Sequence, residues 1–248
     1  MTDKKVALIT GGGTGTGKAI ALGLAKLGVN IVVNYSRSAQ EAEETAAEIR
    51  ALGVSCLVEK ANVANDAEVR TMVDNTVKAF GRIDYVVNSA GTTVYVDLPD
   101  LEGMKDEYFD QIFDVNVKGI FHVCRAAAKY LKESHGSIMN ITSVAGFSGQ
   151  GSLIAYAASK AAAISLTKSL ARVLAPEVRV NSVAPGIIMS RWVAGREDHI
   201  NRYGKPKALL NKVCSPDDVA DVVVPLLTSA ALLTGQSIIL DGGMLMGK

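Results

Sequence analysis

The chain has 248 residues, a formal net charge of +1 and a sequence pI of about 7.7. Hydrophobic residues make up 48% of it and charged residues 21%, which is typical of one globular α/β domain. We therefore predict a single domain over residues 1–248. The balanced charge argues against nucleic acid or an anionic membrane surface as a partner, and no apolar stretch approaches the roughly 18 residues that a membrane span needs.

Cysteine usage and the N-terminal segment bear on the compartment. Cys56, Cys124 and Cys214 have no paired spacing and no histidine cluster nearby, which favours free thiols in a reducing compartment and predicts no metal site. The first ten residues contain too few apolar residues for a secretory signal. The sequence therefore predicts a cytoplasmic protein.

Short apolar runs alternate with longer helical patterns along the whole chain. The predicted strands are 6–10, 30–34, 54–60, 83–88, 136–142, 178–184 and 236–240. The predicted helices are 15–28, 39–52, 66–80, 106–133, 153–175 and 216–229. Because the strand runs are apolar almost throughout, both of their faces are expected to be buried. The pattern predicts a doubly wound Rossmann-type α/β fold, with a seven-stranded parallel sheet flanked by helices.

A cluster of glycines lies between the first strand and the first helix. A structural turn needs one or two glycines, and each one costs backbone entropy, so five within seven residues suggest that a ligand approaches the backbone. Backbone N–H groups at a helix N-terminus can hold a pyrophosphate there. A plain strand-to-helix turn is the alternative. The predicted cofactor contacts in this loop are Thr10, Gly11, Thr14, Gly15, Thr16 and Gly17.

The end of the second predicted strand bears on the choice between NAD(H) and NADP(H). NAD sites usually offer a carboxylate to the ribose 2′-OH at this place, whereas this chain has Asn34, Tyr35, Ser36 and Arg37. The missing carboxylate removes repulsion against a 2′-phosphate, and Arg37 can supply a bidentate cation. NADP(H) is therefore the preferred cofactor, with NAD(H) as the alternative if Arg37 is only a solvated residue before the next helix.

A second group of residues has the character of an acid/base site. Tyr156 and Lys160 are four residues apart in a predicted helix, so their side chains project from one face. A nearby ammonium favours the phenolate and is expected to lower the pKa of Tyr156 from its usual value of about 10. Ser143 follows the fifth strand, where its hydroxyl can bond a reacting carbonyl oxygen. An ordinary surface pair is the alternative for Tyr156 and Lys160.

Taken together, these motifs resemble the short-chain dehydrogenase/reductase family, and the resemblance runs from about residue 4 to residue 243. The matching residues are Thr10, Gly11, Gly15 and Gly17; Asn88, Ala90 and Gly91, with Ser89 in place of a second asparagine; Asn116; Ser143; Tyr156 and Lys160; Pro185, Gly186 and Ser190; and Gly235, Gln236, Asp241, Gly242 and Gly243.

The resemblance implies a ketone/alcohol oxidoreductase with four catalytic residues, of which two, Ser143 and Tyr156, act directly on the substrate. Tyr156 would exchange a proton with the substrate oxygen, Ser143 would polarise the carbonyl, Lys160 would lower the Tyr156 pKa and bind the nicotinamide ribose, and Asn116 would hold a water. Thr14 stands where NADP-dependent members often carry a basic residue. The family resemblance also implies further cofactor contacts at Asn62, Val63, Asn88, Ala90, Gly91, Pro185, Gly186, Ile188 and Ser190.

Residues 190–215 interrupt the regular alternation and are predicted to form a substrate-covering lid. The overall pattern is similar to 3-oxoacyl carrier-protein reductases and to carbonyl reductases, and the basic residues of 190–212 would recruit an acidic carrier protein. The alternatives are an enzyme for a small alcohol, diketone or sugar using NAD(H), and a non-catalytic nucleotide-binding sensor. A homo-oligomer, dimer or tetramer, is expected through helices 106–133 and 153–175, unless the sheet uses their apolar faces.

Overall fold

The computed structural model describes residues 4–247, apart from the side chains of residues 199 and 203. All seven strands form one parallel sheet in the order β3-β2-β1-β4-β5-β6-β7. The order reverses between β1 and β4, as in a doubly wound fold. The strands are β1 (Val6–Thr10), β2 (Asn30–Tyr35), β3 (Cys56–Lys60), β4 (Tyr85–Asn88), β5 (Ser137–Ile141), β6 (Arg179–Pro185) and β7 (Ser237–Leu240).

Helices connect the successive strands and cover both faces of the sheet. They are α1 (Gly15–Lys26), α2 (Ala39–Ala51), α3 (Asp66–Phe80), α4 (Asp106–Phe113), α5 (Gly119–Ser134), α6 (Ala145–Ser148), α7 (Ile154–Leu174), α8 (Glu197–His199) and α9 (Pro216–Thr228). The predicted strands and helices are confirmed, with boundaries within about two residues. The predicted helix 106–133 is interrupted by a π-helical segment, Asp114–Lys118.

Two apolar layers hold the helices to the sheet, because successive strand residues point to opposite faces. Ile9, Ile31 and Val33 face one layer, which includes residues of α1 and α9. Leu8 and Val32 face the other layer, which includes residues of α3, α5 and α7. The strands read as continuous apolar runs because both layers take their side chains from the same short segments.

The segment between β6 and α9 contains only short helical turns, and its end is fixed by a helix cap. Ser215 and Asp218 form a capping box, in which each side chain bonds the other's backbone N–H. Lys212 lies 2.5 Å from Asp218, and this contact together with Ser215 lowers the Asp218 pKa to about 2. Within the described part of the chain, no helix is both long and apolar enough to span a membrane.

Candidate functional site

One cleft of about 1700 Å³ lies at the carboxyl ends of the strands, where the strand order reverses. It extends from the glycine loop after β1 to Tyr156 on α7. The predicted site residues that line it are Gly11, Thr14, Gly15, Thr16, Asn34, Tyr35, Ser36, Arg37, Asn62, Val63, Ala90, Gly91, Ser143, Tyr156, Lys160, Gly186, Ile188 and Ser190. Those outside the lining are Thr10, Gly17, Asn88, Asn116 and Pro185.

The glycines of the loop serve two different purposes. A Cβ on Gly17 would lie 2.3 Å from the Gly11 carbonyl oxygen, so Gly17 allows close packing within the loop. A Cβ on Gly13 would lie 2.8 Å from the Ala42 Cα, so Gly13 allows α2 to pack closely against the loop. Gly15 has a φ of +51°, and the nearest neighbour of its missing Cβ is the Ser190 Cβ at 3.9 Å. This open position faces the cleft and gives a ligand close access to the backbone.

Thr10 and Asn34 support the cleft floor. The Thr10 hydroxyl accepts hydrogen bonds of 3.1 Å from the backbone N–H groups of Ser89 and Ala90. The Asn34 amide donates to the Ala61 carbonyl at 3.0 Å and accepts from the Gly11 N–H at 3.4 Å. Both side chains therefore tie together the loops that follow neighbouring strands.

Asn88, at the end of β4, lies in a buried chain of polar side chains. Its amide donates to Asn140 Oδ1 at 2.8 Å, and the Asn140 amide donates to Thr167 on α7 at 2.9 Å. These contacts link β4 and β5 to α7. They fix the position of the helix that carries Tyr156 and Lys160.

Ser143, Tyr156 and Lys160 meet at one end of the cleft. Tyr156 and Lys160 lie on the same face of α7, and the Lys160 Nζ is 5.6 Å from the centroid of the Tyr156 ring. Lys160 is only 5% exposed, and its Nζ donates to the Ile141 carbonyl at 2.9 Å. Ser143 follows β5 and hydrogen-bonds to Tyr156.

Burial dominates the titration of both α7 residues. It raises the pKa of Tyr156 to about 12, against a smaller lowering by the Ser143 hydrogen bond. It lowers the pKa of Lys160 to about 8. The predicted lowering of the Tyr156 pKa is therefore wrong for the protein without cofactor, because the phenolate loses more hydration than the surrounding groups restore.

Asn116 lies buried in the π-helical segment, a type of helix that is frequent at functional sites. Its side chain accepts from the Thr92 N–H at 2.9 Å and donates to the Thr92 carbonyl and to the Ser159 hydroxyl, each at 3.1 Å. Asn116 thereby holds the loop after β4 against α7, where its partner Ser159 directly precedes Lys160. Its role in holding a water remains a prediction.

Trp192 brings the segment 190–215 over Tyr156. The two rings meet edge to face, with centroids 6.4 Å apart. The Tyr95 hydroxyl donates to the Trp192 carbonyl at 2.9 Å, and the Arg196 guanidinium lies 4.1 Å from the Tyr95 ring centroid. The tip of the indole is 3.5 Å from the place where a Cβ on Gly91 would be. The part played by Tyr95 has no signal in the sequence.

Arg191 connects the same segment to the far end of the cleft. Its Nη1 donates to the Ser38 hydroxyl at 3.0 Å and lies 3.6 Å from Glu41 Oε1. Ser38 directly follows Arg37, beside the loop that is predicted to face the adenosine ribose. No sequence pattern indicates this contact, which joins residues 153 positions apart.

The shape and chemistry of the cleft fit a dinucleotide. An open glycine loop begins α1, the strand end beside it carries Asn34, Ser36 and Arg37 without a carboxylate, and the cleft continues to a buried tyrosine and lysine. Such a site on a doubly wound sheet is typical of nicotinamide-dependent oxidoreductases.

Comparison with known proteins gives the family. The profile of the short chain dehydrogenase family matches residues 5–201. A 3-oxoacyl-[acyl-carrier-protein] reductase of Staphylococcus aureus is 39% identical over 249 residues, covering 99% of this chain and 100% of the relative. A 3-oxoacyl-[acyl-carrier-protein] reductase of Synechocystis is 40% identical over 253 residues, covering 98% of this chain and 97% of the relative.

A solved structure agrees with these relatives. The crystal structure of a short-chain type dehydrogenase/reductase from Mycobacterium marinum superposes with a TM-score of 0.89 at 34% identity, covering 97% of this chain and 95% of that one. The chain belongs to the short-chain dehydrogenase/reductase family, as its motifs indicated. It is an oxidoreductase that acts on ketone and alcohol groups with a nicotinamide cofactor.

Proposed function

We propose that the protein is an NADP(H)-dependent reductase of 3-oxoacyl thioesters carried on an acyl carrier protein. The observation that carries the reaction type is the contact between the hydroxyls of Ser143 and Tyr156 beside the buried Lys160, at one end of the long cleft. The substrate class is supported by full-length similarity to 3-oxoacyl-[acyl-carrier-protein] reductases of two organisms.

The mechanism assigns the proton to Tyr156. With its pKa at about 12, the Tyr156 hydroxyl is protonated at neutral pH and can donate to the ketone oxygen during reduction. Ser143 donates a hydrogen bond to the same oxygen and orients it. When bound, the nicotinamide supplies the hydride to the carbonyl carbon. The Lys160 ammonium, with a pKa of about 8, stabilises the resulting phenolate and can pass it a proton, which solvent then replaces on Lys160.

The remaining site residues bind and position. Thr14, Gly15 and Thr16 hold the pyrophosphate at the start of α1, and Ser36 and Arg37 hold the 2′-phosphate. The rest of the cofactor path is lined by Asn34, Asn62, Val63, Ala90, Gly91, Gly186, Ile188 and Ser190. The residues outside the lining, which would support it from behind, are Thr10, Gly17, Asn88, Asn116 and Pro185.

The segment 190–215 is proposed as the lid of a single catalytic domain. Arg196 and Lys207 line the cleft, and Lys205 lies beside Lys207 on the same exposed turn. These cations would guide an acidic carrier protein to the opening. We place the enzyme in the cytoplasm, where free thiols persist.

A homo-oligomer, dimer or tetramer, is proposed through α5 and α7. Phe121 on α5 is 41% exposed and Val173 on α7 is 66% exposed, so both helices retain apolar side chains that the sheet does not cover. Such residues on neighbouring helices suit a symmetric contact between copies.

The test compares initial rates of NADPH and NADH oxidation with an acetoacetyl thioester, simple ketones, diketones and sugars. Tyr156→Phe is expected to reduce turnover by about 10²–10⁴-fold, the usual contribution of a general acid, while retaining NADPH binding. Tyr130→Phe is the matched control, because Tyr130 lies on α5 outside the cleft lining.

Each result decides a separate part of the proposal. Near-normal turnover by Tyr156→Phe would overturn the proton role. Turnover of small ketones but not of the thioester would overturn the substrate class. Equal use of NADH and NADPH would overturn the cofactor preference, and tight cofactor binding without any turnover would favour a sensor.

A further inference from the structure

Arg191 lies on the segment 190–215, yet its guanidinium reaches the opposite end of the cleft. The residue follows Ser190 in a short 3-10 turn, Arg191–Val193. Its Nη1 is 3.0 Å from the Ser38 hydroxyl at the start of α2, next to Arg37. Arg37, Ser38 and Arg191 all line the cleft. Two arginines from distant parts of the chain, one next to Ser38 in sequence and one hydrogen-bonded to it, therefore line this cleft.

We propose that Arg191 is a second cation for the cofactor's 2′-phosphate, and that this contact fastens the segment 190–215 over the bound cofactor. The inference rests on the proposed NADP(H) dependence and adds a residue and a coupling to it. A phosphate monoester carries a charge of about −1.5 to −2 and three acceptor oxygens, which is more than one arginine can pair with. Arg37 and Arg191 supply two bidentate guanidinium groups, while Ser36 and Ser38 supply hydroxyl donors.

Glu41 gives Arg191 a weak partner when no phosphate is bound. Its Oε1 is 3.6 Å from the Arg191 Nη1, and the two side chains are 48% and 54% exposed. Ion pairs this exposed contribute little, so a phosphate dianion can displace Glu41 readily. The 2′-hydroxyl of NAD(H) has no charge with which to do so. Replacement of Glu41 by the phosphate as the partner of Arg191 is therefore expected with NADP(H) and not with NAD(H).

The coupling follows from chain continuity. Arg191 is attached at the adenosine edge, and its neighbour Trp192 packs against Tyr156 at the reacting end. The Tyr95 hydroxyl holds the Trp192 carbonyl in the same position. Fixing Arg191 on the phosphate thus fixes Trp192 beside the reacting groups, so NADP(H) should order the segment more than NAD(H) does.

Calorimetric titration with NADP⁺ and NAD⁺ tests the contact on the full chain. Arg191→Gln is expected to weaken NADP⁺ binding about tenfold, equivalent to about 1.4 kcal/mol, and NAD⁺ binding by less than about twofold. Glu41→Gln, which removes the competitor, should strengthen NADP⁺ binding. Arg202→Gln is the matched control for charge, because Arg202 is exposed on the same segment and outside the cleft lining.

Hydrogen exchange of backbone amides in 190–215 tests the coupling. In the unmodified protein, saturating NADP⁺ should slow exchange there more than NAD⁺, and Arg191→Gln should abolish the difference. A protein that prefers NADP⁺ and keeps that preference in Arg191→Gln overturns this inference while leaving the proposed function standing. Equal losses in Arg191→Gln and Arg202→Gln also overturn it. A protein without any NADP⁺ preference overturns the proposed cofactor itself.

Discussion

Replacing Lys160 by methionine is expected to stabilise the cofactor-free protein while removing its activity. Lys160 is 5% exposed, and burial lowers its pKa from 10.5 to about 8. At 1.36 kcal/mol per pH unit, keeping this ammonium charged in the folded protein costs about 3 kcal/mol at neutral pH. Methionine has a similar length and carries no charge, so it avoids that penalty.

The lost hydrogen bond to the Ile141 carbonyl offsets part of the gain. A hydrogen bond from a charged donor contributes about 1.5–3 kcal/mol. A net stabilisation of about 1 kcal/mol at pH 7 therefore follows for Lys160→Met. For a domain of this size it corresponds to a rise in Tm of about 2–4 °C.

The pH dependence identifies the cause. Below pH 8 both the folded and the unfolded protein carry the Lys160 proton, so the unmodified protein bears the full penalty. Between pH 8 and 10.5 the unfolded state binds more protons, so the stability of the unmodified protein rises with pH and the advantage of Lys160→Met disappears.

Urea and thermal unfolding at pH 7 and pH 10 measure the effect. Lys168→Met is the control, because Lys168 is exposed on the same helix and its replacement should change stability by less than about 0.5 kcal/mol. A Lys160→Met protein that is less stable than the unmodified protein at pH 7, or a stability difference that is the same at both pH values, would refute a desolvation penalty on Lys160.

Three further outcomes are expected. Gly17→Ala places a Cβ 2.3 Å from the Gly11 carbonyl oxygen, so it should lower both the Tm and the NADP⁺ affinity, measured by melting and calorimetry. Thr10→Val leaves the Ser89 and Ala90 amides without their acceptor and should cost about 1–3 kcal/mol in urea unfolding. Without cofactor, the unmodified protein and Tyr156→Phe should have the same phenolate absorbance at 295 nm below pH 10, because the pKa of Tyr156 is raised to about 12. Extra phenolate absorbance in the unmodified protein near pH 8 would contradict the raised pKa.

The fold could be predicted from the sequence because its signals are local. In the strand at 30–34, the successive apolar residues Ile31, Val32 and Val33 point to both faces, which suits a sheet covered on both sides. The four-residue spacing of Tyr156 and Lys160 fixes their common helical face before any tertiary structure is known. Strand ends and helix starts then place Ser143 and the glycine loop at one edge of the sheet.

Features set by distant contacts could not be predicted in this way. The amide of Asn34 turns inward to Ala61, although its place at the end of β2 suggests a direct cofactor contact. The contact of Arg191 with Ser38 depends on how a long irregular segment crosses the cleft. Whether the pKa of Tyr156 is raised or lowered depends on how much water the folded protein excludes from the hydroxyl. The spacing of residues in the sequence carries no information about that exclusion.

The position of Trp192 also makes the active site optically visible. The chain has a single tryptophan, so the whole indole emission comes from one ring edge-on to Tyr156 and near Gly91. A reduced nicotinamide arriving in that part of the cleft absorbs at the wavelengths where indole emits, whereas the oxidised ring does not. Stopped-flow quenching of this emission therefore times cofactor arrival and movement of the segment over it, in the unmodified protein and without an attached dye.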